Sequence, residues 1–222
     1  MSLWGQLNLI DPASPIQSEM ILFHDHAMIL LIGIFTLVGL VGANFAFNKY
    51  STRLVHEAQT LEIIWTIIPA LLLIWLALPS LRLLYLLDEQ SNDGIILKAT
   101  GHQWYWSYEI PTINVSSFDS YMIQSSDLKS GDYRLLEVDH RPMVPFGLST
   151  SVITTSSDVI HAWALPSMGI KMDAVPGRLN SMGMYPQLPG VYYGQCSEIC
   201  GANHSFMPIA VEVINMMDFV NV

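Results

Sequence analysis

Two uncharged runs limit what this chain can fold into more than any other feature. Residues 27–48 (AMILLIGIFTLVGLVGANFAFN) form 22 residues without a charge, and residues 63–81 form 19 more. A helix needs about 20 apolar residues to cross the roughly 30 Å hydrocarbon core of a bilayer. The spacing predicts transmembrane helices over 27–48 and 61–87, the second extended by Arg82 reaching to the headgroups. Pro69 and Pro79 fit such a helix, because membrane helices tolerate proline better than soluble ones. The first run is too long and too late for a cleavable signal, and the 26 residues before it contain no Lys or Arg. The connector 49–60 carries Lys49 and Arg53. By the positive-inside rule it faces the inner side, which puts segment 1–26 and the chain beyond 88 on the outer side.

Composition agrees with a membrane protein. Only 13% of the 222 residues are charged, against about a quarter in soluble domains. That excludes a wholly soluble enzyme and a disordered chain. The net charge of −10 argues against nucleic acid, whose phosphates need cations. Residues 88–222 hold 14 acidic and 6 basic side chains, a net −8, so a partner drawn by this field is cationic. With two cysteines there is no multi-disulfide framework. After a linker at 88–94, short apolar or alternating runs lie at 95–100, 104–110, 134–138, 149–156, 159–165, 190–195 and 207–214. Gly, Pro and Asp separate them, which predicts an antiparallel β-sandwich or barrel over 88–222.

The chemistry sits near the end of that domain. The stretch YYGQCSEICGANHSFMP places Cys196, Cys200, His204 and Met207 in a C-x3-C-x3-H-x2-M pattern. Two thiolates, an imidazole and a thioether are soft to borderline donors suited to copper or zinc. The thioether favours copper, since zinc sites have little use for Met. His161, in the upstream run VIHAWAL, is the natural further ligand. One blue-copper ion needs one Cys; two Cys, two His and a Met suit two coppers bridged by both sulfurs. Sharing one unpaired electron between bridged metals reduces the bond reorganisation of each transfer. A disulfide between Cys196 and Cys200 leaves His204 and Met207 without a role, and a zinc finger does not fit the position of His161.

CSEICGANHSFMP, SSDVIHAWALPSMGIKMDAVPGRLN (156–180), GHQWYWSYE (101–109) and the two-span N-terminus together resemble subunit two of cytochrome c oxidase over essentially the whole chain. The resemblance implies a two-helix transmembrane hairpin followed by an all-β cupredoxin-like sandwich or barrel. It implies a binuclear copper centre (CuA) that receives electrons from cytochrome c and passes them to haem a in subunit one, which also holds haem a3 and CuB. Oxygen reduction there is coupled to proton pumping. Cys196 and Cys200 would bridge the coppers, His161 and His204 would be terminal ligands, and Met207 and the Glu198 carbonyl would be axial donors. The Glu198 side chain would ligate a magnesium ion shared with subunit one. Trp104 would be the point where electrons enter, Glu62 the mouth of a proton path, and Asp139, Asp158 and Glu198 docking acids. Many members carry a further acid before Asp158, where this chain has Ser157.

The residues also have plainer readings. On a strand, Trp104, Trp106 and Tyr108 fall on one face and pack a barrel core or a membrane interface. Scattered acids make a solvated face, and Glu62 at a span's end is an interfacial carboxylate. A copper-free quinol oxidase subunit would lack the Cys–Cys–His–Met set. A membrane-anchored copper carrier or assembly factor would favour exposed, exchangeable sites. The resemblance points to the mitochondrial inner membrane with both termini in the intermembrane space; a bacterial plasma membrane is the alternative.

Overall fold

The computed structural model describes residues 4–54, 56–89, 94–113 and 115–221. Helix α1 covers Pro15–Phe47 and helix α2 covers Gln59–Asp88. Phe35, Leu37, Leu71, Leu73 and most other apolar side chains on them are exposed. Surfaces this apolar need an apolar solvent, and a helix satisfies its backbone internally, as a bilayer requires. At about 1.5 Å per residue both helices exceed the hydrocarbon thickness. Arg82 of α2 lies 3.6 Å from Glu19 of α1, so its charge is paired as well as near a span's end.

Helix α1 starts well before the expected Ala27, and the reason is local. The Ser14 hydroxyl accepts the Gln17 N–H at 3.1 Å and Pro15 takes the first helical position, the preferred way to begin a helix. The same hydroxyl donates to the Met168 carbonyl at 2.7 Å, and Ala13 N–H donates to the Ser167 carbonyl at 2.8 Å. Residues 13 and 14 are therefore buried against the β domain, and the segment before the first span is not a free tail.

The β domain has ten strands among the described residues: β1 Ile95–His102, β2 Tyr105–Ile110, β3 Val115–Ser120, β4 Met143–Pro145, β5 Thr150–Ser156, β6 His161–Leu165, β7 Ile170–Ala174, β8 Asn180–Met184, β9 Gly190–Gln195 and β10 Pro208–Ile214. A short helix, α3, covers Met216–Val220. The sheets run β3-β2-β1-β5-β8, β4-β10-β9 and β6-β7. Strands β1/β5 and β4/β10 pair in parallel, so the domain is not the purely antiparallel one expected. Alternation buries Leu97 and Ala99 on β1 and Trp106 and Tyr108 on β2. These pack with Val152, Trp163, Leu165, Ile209 and Val211 in one core. Each such apolar side chain contributes about 1.5–3 kcal/mol on burial. The linker expected at 88–94 falls mostly outside the described residues.

One expected strand is a turn. RLLEV (134–138) holds Leu135 at φ 68°, and Leu136 and Glu137 donate back to the Tyr133 carbonyl. A strand cannot accommodate a left-handed residue there. The turn delivers the Glu137 carboxylate to Arg141 and to the Tyr193 hydroxyl, each at 2.7 Å. Glu137 is 4% exposed. Glu137→Ala is expected to destabilise the domain by about 2–4 kcal/mol, because it leaves a half-buried guanidinium and a hydroxyl without their acceptor. Urea unfolding of the detergent-solubilised chain measures this, and a midpoint unchanged from wild type would contradict it.

Candidate metal centre

Strands β9 and β10 are antiparallel neighbours, with Gln195 opposite Pro208. The loop between them, 196–207, is thereby closed at its base and carries both cysteines, His204 and Met207. Ser197 N–H donates to the Ala162 carbonyl at 3.0 Å and ties the loop to β6, whose first residue is His161. Gly101 on β1 makes room for the imidazole: a Cβ there would lie 2.8 Å from a ring carbon of His161. Sequence reading had no means of finding this close approach.

The donors converge. One ligand atom from each of His161, Cys196 and Cys200 lies within 4.8 Å of the others. The two sulfurs are 4.0 Å apart and both thiols are free, so they form no disulfide. Cys196 Sγ is 3.9 Å from His161 Nδ1 and 3.4 Å from the Glu198 carbonyl oxygen. Cys200 Sγ is 3.5 Å from His204 Nδ1 and 3.5 Å from Met207 Sδ. His161, Cys196, Cys200 and Met207 are buried, and His204 is half-buried. All six groups expected at a copper pair therefore meet in one place.

The two thiols differ in how readily they ionise. Burial pushes the Cys196 thiol up, but the His161 ring and the Ala162 and Glu198 backbone outweigh it and bring it down to about 7. Burial together with the Cys196 sulfur drives Cys200 up to about 12. The first proton leaves readily and the second does not, since two thiolates this close repel. Positive charge between them relieves that repulsion, and soft sulfur donors with imidazole and thioether fit copper.

Asp158 occupies a place that sequence reading missed. One carboxylate oxygen lies 2.8 Å from His161 Nε2, and the other accepts the Gln103 N–H at 2.7 Å. Burial opposes ionisation, but the bonds from His161, Val159 and Gln103 hold the carboxyl below its usual range. The His161 ring is lowered by burial and raised more strongly by Cys196 and Asp158. Metal-ligating histidines commonly carry a carboxylate in this position, and here it leaves Nδ1 facing the Cys196 sulfur. Asp139 is exposed, with its Oδ1 accepting the Tyr121 and His140 N–H groups. Glu62 lies exposed in the first turn of α2, where the helix N-terminus favours a carboxylate.

Trp104 is not on the face of β2 with Trp106 and Tyr108. It lies in the turn between β1 and β2, because the strand begins at Tyr105, and it packs on the edge of the core. His102, Tyr105 and Tyr121 form a ring stack nearby, with centroids 4.5 and 4.4 Å apart. Trp104, Tyr121, Met122, Gln124, Asn203 and Phe206 line an open cleft of about 390 Å³ beside the metal loop. A larger groove of about 600 Å³, lined by Phe118, Glu137, Asp139, Arg141 and Glu212 among others, contains none of the metal donors.

Comparison with known proteins agrees with the geometry. The family model for the transmembrane domain of cytochrome c oxidase subunit II matches residues 2–83, and that for its periplasmic domain matches residues 95–214. The chain is 75% identical over 220 residues to cytochrome c oxidase subunit 2 of Albinaria caerulea, covering 99% of this chain and 98% of that one. It is 54% identical to the same subunit of Yponomeuta malinellus, covering 99% and 96%. The crystal structure of the periplasmic domain of subunit II of cytochrome oxidase (CoxB) of Bradyrhizobium japonicum matches with a TM-score of 0.54 and 46% identity, over 59% of this chain and 91% of that one. Matched in both its halves and along the length of its relatives, the chain belongs to the cytochrome c oxidase subunit II family, as a membrane-spanning subunit of that oxidase.

Proposed function

We propose that this chain receives electrons from cytochrome c at a binuclear copper centre and passes them to haem a in subunit one. The observation that carries this reading is the pair of free thiols 4.0 Å apart, flanked by His161, His204, Met207 and the Glu198 carbonyl. Bound there, a copper pair supplies one-electron redox chemistry. Cys196, Cys200, His161 and His204 would hold it, with Met207 and the Glu198 carbonyl as weaker donors. Asp158 fixes the His161 ring with Nδ1 inward. Burial of the donors excludes water, so little solvent reorganises when charge moves. The complete donor set sets this reading above a copper-free quinol oxidase subunit. The burial of the site sets it above an exchangeable copper carrier.

The remaining roles follow the same reading. The Glu198 side chain would ligate a magnesium ion shared with subunit one, and Glu62 would open a proton path into that subunit. The domain lies in the intermembrane space of the mitochondrial inner membrane. The burial of residues 13 and 14 against the β domain supports placing the chain's start and that domain on one side.

Electron paramagnetic resonance of the copper-loaded protein tests the centre. Hyperfine structure from two copper nuclei sharing one electron is expected, and a pattern from one nucleus overturns the reading. Docking is tested by salt. The net −8 domain steers a basic cytochrome c, and exposed charges are screened beyond about 8 Å at physiological ionic strength. Asp139→Asn is expected to lower the association rate about two- to threefold at low salt and leave the copper spectrum unchanged. Asp158→Asn is expected to differ: losing the orienting carboxylate weakens copper binding by about 10–100-fold. Stopped-flow mixing across salt concentrations and a copper titration separate the two. An unchanged spectrum and copper affinity in Asp158→Asn would return that residue to a docking role alone.

A further inference from the structure

Trp104 has no polar anchor of its own. Its indole N–H is buried and lacks a hydrogen-bond partner among the described residues. Its neighbour Gln103 is bonded twice. The Gln103 N–H donates to Asp158 at 2.7 Å, and its side-chain amide crosses to the metal loop and donates to the Cys200 carbonyl at 2.7 Å. A glutamine at a strand-to-strand turn ordinarily projects into water; this one joins the turn bearing Trp104 to the backbone of a bridging cysteine.

Gly201 makes the junction possible from the other side. A Cβ at that position would lie 3.1 Å from Trp104 Cζ2, 3.2 Å from Gln103 Nε2 and 3.3 Å from Trp104 Nε1. Its φ of +128° is also one that glycine adopts without strain. The indole and the amide thus lie directly on the loop, one residue from Cys200.

We propose that Gln103 is a positioning residue for electron transfer: its amide, bonded to the Cys200 carbonyl, holds the Trp104 indole against Gly201. This rests on the reading of Trp104 as the residue through which electrons enter. Position matters at this scale, since a displacement of reacting groups by about 1 Å can cost up to about a hundredfold in rate. The amide lies outside the donor set, so its loss should leave the metal in place.

The test uses the assembled, copper-loaded oxidase carrying Gln103→Leu or Gln103→Glu, with Trp104→Ala as reference and reduced cytochrome c as donor. Leu keeps the bulk without the donor; ionised Glu keeps the shape and repels the Cys200 carbonyl. Both are expected to retain the copper spectrum, the reduction potential and the affinity for cytochrome c. Electron transfer within the docked complex should slow about tenfold, part of the same positional range. A rate within twofold of wild type in both Gln103 variants, with Trp104→Ala slow, overturns the role of Gln103 alone. A wild-type rate in Trp104→Ala overturns the reading beneath it. Loss of the copper spectrum in both Gln103 variants would make Gln103 a structural part of the metal loop and would also overturn the positioning role.

Discussion

Cys196→Ser or Cys200→Ser is expected to abolish the mixed-valence copper signal of the proposed centre. A hydroxyl ionises far less readily than a thiol, and its hard oxygen cannot replace a soft bridging sulfur. Each sulfur lies within 4.0 Å of its partner and of an imidazole, so losing either would remove a donor from the centre of the proposed metal site. Near-infrared absorption and copper stoichiometry of each mutant measure the effect, and two retained coppers with the native absorption would refute the bridging assignment. Met207→Leu is expected to do much less. Its sulfur is 3.5 Å from Cys200, but an axial thioether tunes potential and geometry rather than holding the metal. His204→Ala removes a terminal ligand and should cost copper outright. Equal copper loss in these two variants would contradict that ranking.

Trp104→Ala is expected to preserve docking and to slow electron transfer within the docked complex by ten- to about a hundredfold, the effect of misplacing or removing a group at the reacting junction. The substitution removes no charge, so the salt dependence of association should be unchanged. Removing the indole opens the cleft beside Phe206 and Asn203 but deletes none of the candidate metal donors. Stopped-flow mixing with reduced cytochrome c at several salt concentrations separates the association and transfer steps. Copper reduced at the normal rate would return Trp104 to a packing role.

The candidate donors that the structure brings together were legible in the sequence because local chain chemistry encodes them. C-x3-C-x3-H-x2-M lies within one loop, and soft donors at that spacing have few uses besides holding a soft metal. The two spans were equally legible, since an uncharged run of about 20 residues has an apolar solvent as its natural surroundings. Their ends were not: the first helix begins at Pro15 because Ser14 caps it and packs on Met168, a contact 154 residues away in sequence. Strands β7 and β8 escaped because IKMDA and NSMGM carry exposed polar residues and little alternation. The turn at 134–138 was read as a strand because a left-handed Leu135 leaves no trace in composition. Asp158 resembled any surface acid until the fold brought His161 and Gln103 to its two oxygens. Gly201 reads in the sequence as a loop-forming glycine and Gln103 as one residue of an aromatic strand block, and neither reading points to the contact that joins them. The sequence thus marked the candidate donors and the two apolar spans, both properties of short segments. Which carboxylate orients a ligand, and which amide ties Trp104 to Cys200, depend on contacts between segments distant in the chain, and only the tertiary structure decided them.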